Sequence, residues 1–214
     1  HERLDGFGYP QGRRMGEVSD SAQILAVAEM LGGMLDKSGG TLQQADVAVK
    51  LIHGEFSRPV IDVVSRTFRE CREADAQDSG AALQDALAMS RELSERLDRI
   101  LRVQGEFKPM FDRASAPFKT LWAHAQERFV SIRRAWSSTG LDVQPDGAWL
   151  QHESPAMQRE VLAILREINW RLRELDRELH ARVNRHAGGD LPLLERYFRE
   201  AHAATGAAVD AATS

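Results

Sequence analysis

The apolar residues of this chain recur at three- and four-residue spacing over most of its length, a pattern that predicts helices. The clearest stripe is Val161, Leu165, Ile168, Leu172, Leu175, Leu179 and Val183, close to a heptad seam. Charged residues flank it, among them Arg166, Glu167, Arg171, Arg173, Glu174, Asp176, Arg177 and Glu178. Such a stripe either closes an intramolecular bundle or joins two copies as a homodimer through 161–183. A second apolar face, Leu83, Leu87, Leu93, Leu97, Ile100 and Leu101, outlines a helix over 81–103 after a break at Asp78-Ser79-Gly80. Gly105 and Pro109 are expected to interrupt or end it. Residues 111–136 carry Phe111, Phe118, Leu121, Trp122, Phe129, Ile132 and Trp136, an aromatic face more often core than a platform for bases.

Shorter elements precede and follow these. Ile24, Val27, Ala28 and Leu31 fall on one helical face, which sets that segment against the core. Leu42, Ala45, Val49 and Ile52 keep the same period. Pro59 suits a first helical turn, and Val60, Val63, Val64 and Phe68 would bury one face of the helix that follows. Residues 137–155 hold Gly140, Pro145, Gly147 and Pro155 and read as a turn-rich connection, pinned by Trp149. The seam helix should stop near Gly188-Gly189. A last short helix is expected over 191–198, and the small-residue tail from Ala203 is expected to fray. The fold class predicted is all-α.

Composition narrows the function classes. The 214 residues are 43% hydrophobic and 28% charged, ordinary for a helical protein with a sizeable core. A formal charge of -4 gives no general case for nucleic acid, and Arg128, Arg133 and Arg134 beside the aromatic face add little to it. The single cysteine, Cys71, argues against a disulfide scaffold and has no Cys or His neighbour at ligand spacing. No apolar run of about 18 residues exists, so no transmembrane segment is predicted and a cytoplasmic location is expected. The chain starts without Met and inside a motif, and is expected to be a piece of a longer protein with an upstream segment.

The chemistry is concentrated at the start. His1-Glu2-Arg3-Leu4-Asp5-Gly6-Phe7-Gly8-Tyr9-Pro10-Gln11-Gly12 sets three glycines and a proline around a tyrosine, the composition of a rigid, close-turning loop. The His-Glu pair at its entrance offers an imidazole for a metal and a carboxylate for a proton or a supporting bond. The stretch resembles the HD-GYP domain family, whose signature is His-His-Glu-Arg-x-Asp-Gly-x-Gly-Tyr-Pro-x-Gly. The match runs from His1 to Gly12 and continues at Ile24-Leu25-Ala26-Val27-Ala28-Glu29, similar to the family's Arg-Ile-Leu-x-Val-Ala-Asp. It resumes faintly at His53-Gly54-Glu55-Phe56-Ser57-Arg58-Pro59, near the family's Gly-x-x-Phe-Asp-Pro turn, and stops by residue 70.

The resemblance implies cyclic di-GMP hydrolysis in bacterial signalling, by a cluster of two or three metals, commonly iron or manganese. It implies that His1 and Glu29 stand at metal-ligand positions, although Glu29 replaces an aspartate and adds a methylene. Arg3 either anchors the loop through a carboxylate or reaches a substrate phosphate. Tyr9 either stacks on guanine or walls the pocket, Asp5 belongs to the motif, and Gly6, Gly8 and Pro10 supply shape. In the family the loop is also a proposed contact for diguanylate cyclase domains. The chain departs from the pattern at Leu31-Gly32-Gly33-Met34, which loses an acid, and at Leu35-Asp36-Lys37-Ser38, where only Lys37 remains of a basic phosphate-binding segment. The expected organisation is therefore an HD-GYP-like C-terminal portion over 1–70, a helical bundle or coiled-coil-like extension over 71–202, and a tail over 203–214. Two functions remain open: a phosphodiesterase completed by upstream ligands, with this piece inactive by itself and holding no complete catalytic set, or a degenerate signalling or protein-interaction module.

Overall fold

A computed structural model describes residues 1–37, 41–71, 79–144 and 147–203, with side chains for all of these except 36, 37, 70, 71 and 79–81. The expectations for the Lys37 side chain, the Cys71 thiol and the tail from residue 204 lie outside the described residues. The fold is all-α, with seven helices among the described residues: α1 (Asp20–Gly32), α2 (Leu42–Lys50), α3 (Arg58–Cys71), α4 (Ser79–Phe111), α5 (Ala116–Ser137), α6 (Pro155–His186) and α7 (Leu191–His202). A π-helical turn, Gly33–Lys37, extends α1, and 3-10 turns at Ala148–His152 and Gly188–Asp190 flank α6.

The helix starts follow from local chemistry. Ser19, Ser115 and Ser154 each turn a hydroxyl onto a backbone N–H three residues on, satisfying a donor that the first turn would leave unpaired. Thr41 and Gln44 form a reciprocal capping box, with the Gln44 N–H 3.2 Å from Thr41 Oγ1 and the Thr41 N–H 3.0 Å from Gln44 Oε1. Pro155 and Pro192 occupy first-turn positions, where the missing N–H costs nothing.

α6 is the central element, packing against α2, α4, α5 and α7. Val161, Leu165, Ile168, Leu172, Leu179 and Val183 are all buried in the main core of this chain, with Leu175 partly buried beside them. From α4 the core takes Leu93, Leu97, Ile100, Val103 and Phe107, and from α5 Phe118, Phe129, Ile132 and Trp136. Phe107, Phe111, Phe118, Trp122 and Tyr197 form an aromatic cluster of tilted and edge-on contacts, with Phe118 parallel to Trp122, at centroid separations of 4.2–6.3 Å. The aromatic face of α5 is thus core. A smaller cluster, Ala26, Val27, Val49, Phe56 and Ile61, lies between α1, α2 and α3.

Three sequence expectations are corrected. α4 continues through Gly105 and Pro109 to Phe111. A proline ring clashes with the carbonyl four residues back, here that of Gly105, whose backbone is the most adaptable in the helix, and buried Phe107 and Phe111 hold the turn from either side. On α1 the buried residues are Ala26 and Val27, while Ile24 is 54% and Leu25 68% exposed and Ala28 is also exposed. On α3, Ile61 and Ser65 face inward and Val63 is 62% exposed. Both short helices carry apolar residues on more than one face, so packing rather than period selects the buried one.

Candidate functional site

The first seventeen residues fold into a compact loop docked on the helices. Asp5 and Arg14 form an isolated antiparallel bridge, and the Met15 N–H reaches the Leu4 carbonyl at 2.9 Å. Glu2 ties the turn together: its carboxylate accepts the Gln11 N–H at 2.7 Å and the Arg13 N–H at 2.9 Å. Slight burial pushes that carboxyl up, but the loop N–H groups of Gln11, Arg13 and Gly12 outweigh it and hold it below the usual range. Gly8 is required by space, since a methyl there would overlap the Arg3 backbone nitrogen and Glu2 Cα. Gly6 and Gly12 have φ of 84° and 65°, and the Tyr9-Pro10 peptide is cis.

Two motif residues point inward. The Arg3 guanidinium lies 2.7 Å from Glu55 Oε1 and forks onto Glu174 at 3.0 and 3.4 Å. Asp5 pairs with Arg128 and accepts the Phe7 N–H at 3.1 Å. Both belong to a buried cluster centred on Glu55, which is wholly inaccessible. One Glu55 oxygen, Oε1, accepts from Arg128 at 2.8 Å and Arg171 at 2.5 Å as well as facing Arg3. Arg171, 1% exposed, also donates to Glu167 at 2.7 Å and to the Ala48 carbonyl at 3.1 Å. The first loop, the α2–α3 connection, α5 and α6 are thereby locked together through one carboxylate.

The protonation states follow from competition inside this cluster. Burial pushes the Glu55 carboxyl up, but Arg171, Arg128 and Arg3 more than offset it and hold it below the ordinary range. Burial works against the Arg3 and Arg171 charges too, yet Glu55 with Glu174 or Glu167 raises both. Burial wins at Asp5 and Glu167, whose carboxyls are pushed up despite their arginine partners.

The other motif residues face a cavity of about 1140 Å³ between this loop, the end of α1 and the outer face of α6. His1 Nδ1 is in direct contact with Glu29 Oε1, and the two side chains are about half exposed, at 48% and 50%. The His1 ring stacks on Tyr9 with a 4.5 Å centroid separation, and Tyr9 is 57% exposed. Gly6, Gly8 and Pro10 line the same wall. On the floor His124 stacks on Phe7 at 4.1 Å, and burial, then the nearby Arg182, pushes its imidazole pKa down. Arg182 pairs with Glu178 and donates to the Gly8 carbonyl at 3.4 Å, bracing the loop against α6.

No family model matches the chain, and no curated protein or solved structure matches it.

His1 and Glu29 are brought together, as metal-ligand positions require, but they contact each other. No group of three or more His, Cys, Asp or Glu side chains able to hold a metal occurs among the described residues. The donor set present here does not fit an iron or manganese cluster, which needs several convergent imidazoles and carboxylates. No local pattern marks Glu55, Arg128 or His124 as parts of this site. Arg171 and Glu167 carried a usable signal. They are four residues apart and sit beside Ile168 and Leu172 on the seam, where a charge pair must be buried or break the stripe.

Proposed function

We propose that this chain carries the Gly-Tyr-Pro portion of an HD-GYP-like domain and acts in cyclic di-GMP signalling as a binding module. The observation that carries this reading is the division of labour within the loop. Arg3 and Asp5, the motif's charged residues, are committed to the buried Glu55 cluster, while Tyr9, stacked on His1, is presented to an open cavity. A loop so arranged offers an aromatic surface on a rigid frame, suited to a purine ring or to a partner domain such as a diguanylate cyclase.

The nearness of His1 to Glu29, rather than their contact, supports a second reading, in which the two would help hold an iron or manganese centre whose other donors come from outside this chain and which would supply Lewis-acid chemistry. The chain's own residues would hold His1 against Tyr9 and keep the loop in place. One experiment separates the two: cyclic di-GMP turnover and retained metal, measured on one sample in which the outside donors are present together with this chain, after incubation with Fe(II) or Mn(II). The binding-module reading predicts nucleotide binding without turnover or stoichiometric metal. Two or more tightly held metals per chain, with release of pGpG or GMP, would sink it.

A further inference from the structure

α6 contributes more to the cavity than a wall. Each acid lining it is already engaged: Glu174 with Arg3 and Arg171, Glu178 with Arg182, and Glu29 with His1. Arg177 and Arg185 also line the cavity, are exposed, and have no ion pair or hydrogen bond among the described residues. They stand eight residues apart on α6, roughly 12 Å along its axis at about 1.5 Å per residue. Ala181, halfway between them, is exposed and carries only a methyl group, and the other two lining residues between them, Glu178 and Arg182, are paired with each other. Across the cavity Gly32 and Gly33 add no side chains, and a Cβ at either would meet nothing within 4 Å.

An unpaired guanidinium facing an open cavity attracts an anion, and its planar fork matches phosphate oxygens. Two of them, borne on residues about 12 Å apart along the helix axis, suit a ligand with more than one anionic group rather than a single small ion. The volume, about 1140 Å³, exceeds what one phosphate would fill. We propose that the α6 face of this cavity is a phosphate-binding site, in which Arg177 and Arg185 hold separate phosphate groups of a ligand whose ring rests against Tyr9. The proposal rests on the cyclic di-GMP reading for the identity of the ring, and on the arginines alone for the phosphates. It puts phosphate recognition on the helical extension rather than on the segment around Lys37 expected from the sequence.

The test is calorimetric titration of the whole chain with two probes, inorganic pyrophosphate and cyclic di-GMP, in wild type and in Arg177→Ala, Arg185→Ala and the double variant. Both positions are exposed and unpaired, so the variants should keep the wild-type helical circular dichroism. The expected result is saturable binding of both probes, weakened roughly tenfold per arginine removed, with affinity falling as salt rises. Pyrophosphate binding that depends on the arginines, with no cyclic di-GMP binding, supports the phosphate site and overturns the proposed nucleotide. Cyclic di-GMP binding unchanged in the double variant overturns the α6 site and leaves the nucleotide reading standing. Absence of binding by either probe overturns both.

Discussion

Glu55 is the residue whose loss the fold should feel most. Its carboxylate is fully buried and faces Arg3, Arg128 and Arg171, whose side chains are 18%, 4% and 0% exposed. Glu55→Gln keeps the shape but removes the negative charge, and the amide accepts at only one end. Three largely buried guanidiniums are then left with one fewer counter-charge, and breaking such a pair costs about 3–5 kcal/mol. For a chain of this size, at about 2–4 °C per kcal/mol, the expected fall in Tm is roughly 6–20 °C. The assay is urea and thermal unfolding followed by helical circular dichroism. Glu127→Gln is the control, because its partner Arg14 is 3.9 Å away and both side chains are about two-thirds exposed, at 66% and 64%. That change should cost less than about 1 kcal/mol. If Glu55→Gln cost no more than the control, the cluster would not be what holds the loop to α5 and α6.

The pH profile offers an independent check. Glu55, held below its ordinary value, contributes stability that is complete above about pH 4.3 and is lost as pH falls through its folded pKa. Asp5, Glu167 and Glu178 are held above theirs, so on acidification the folded state takes up their protons first and gains stability above about pH 4. His124, whose imidazole is held below its ordinary value, works the other way and costs stability as pH falls below about 6.5. In a His124→Gln background the urea midpoint should therefore rise to a maximum on the acid side of neutrality and then drop, and a steady fall from pH 7 downward in that background would contradict this. Gly8→Ala should disorder the loop, because its methyl overlaps the backbone of Glu2 and Arg3; amide exchange at 2–14 should speed up while α6 stays protected. Ile132→Ala, at a fully buried α5 position, should cost about 2–5 kcal/mol, whereas Val63→Ala on the exposed face of α3 should stay within about 0.5 kcal/mol. Equal effects at the two positions would refute the assignment of faces.

What could be read from the chain depended on how far each signal extends. The stripe of α6 spans several turns with charges on both sides, so period alone located it, and the same holds for the aromatic face of α5. On α1 the run Ile24-Leu25-Ala26-Val27-Ala28 is apolar all round, so spacing could not say which side would be covered: Val27 and Leu31 face the core as expected, while Ile24 and Ala28 do not. The site divides in the same way. The loop's glycine and proline chemistry was legible because it lies within one local motif, whereas the nearness of His1 and Glu29 followed only from the family resemblance. The partners of Arg3 and Asp5 were not: Glu55, Arg128 and Glu174 are 50 or more positions away, and nothing in local spacing encodes a pairing made by packing α2, α5 and α6 together. The cavity's unpaired arginines escaped for a further reason. On a helix rich in charge, Arg177 and Arg185 are distinguishable from Arg171 and Arg182 only once the partners of each are known.

The most direct test of the central claim is a calorimetric titration of cyclic di-GMP into the 214-residue chain and into Tyr9→Ala. Tyr9 is exposed at the cavity wall and makes no contact with the Glu55 cluster among the interactions described, so its removal should leave the fold intact. The account predicts saturable binding to the wild type, weakened roughly tenfold or more when the aromatic face is lost, in line with about 1–3 kcal/mol per stacked base. No detectable heat with the wild type, or binding indifferent to Tyr9, would contradict it.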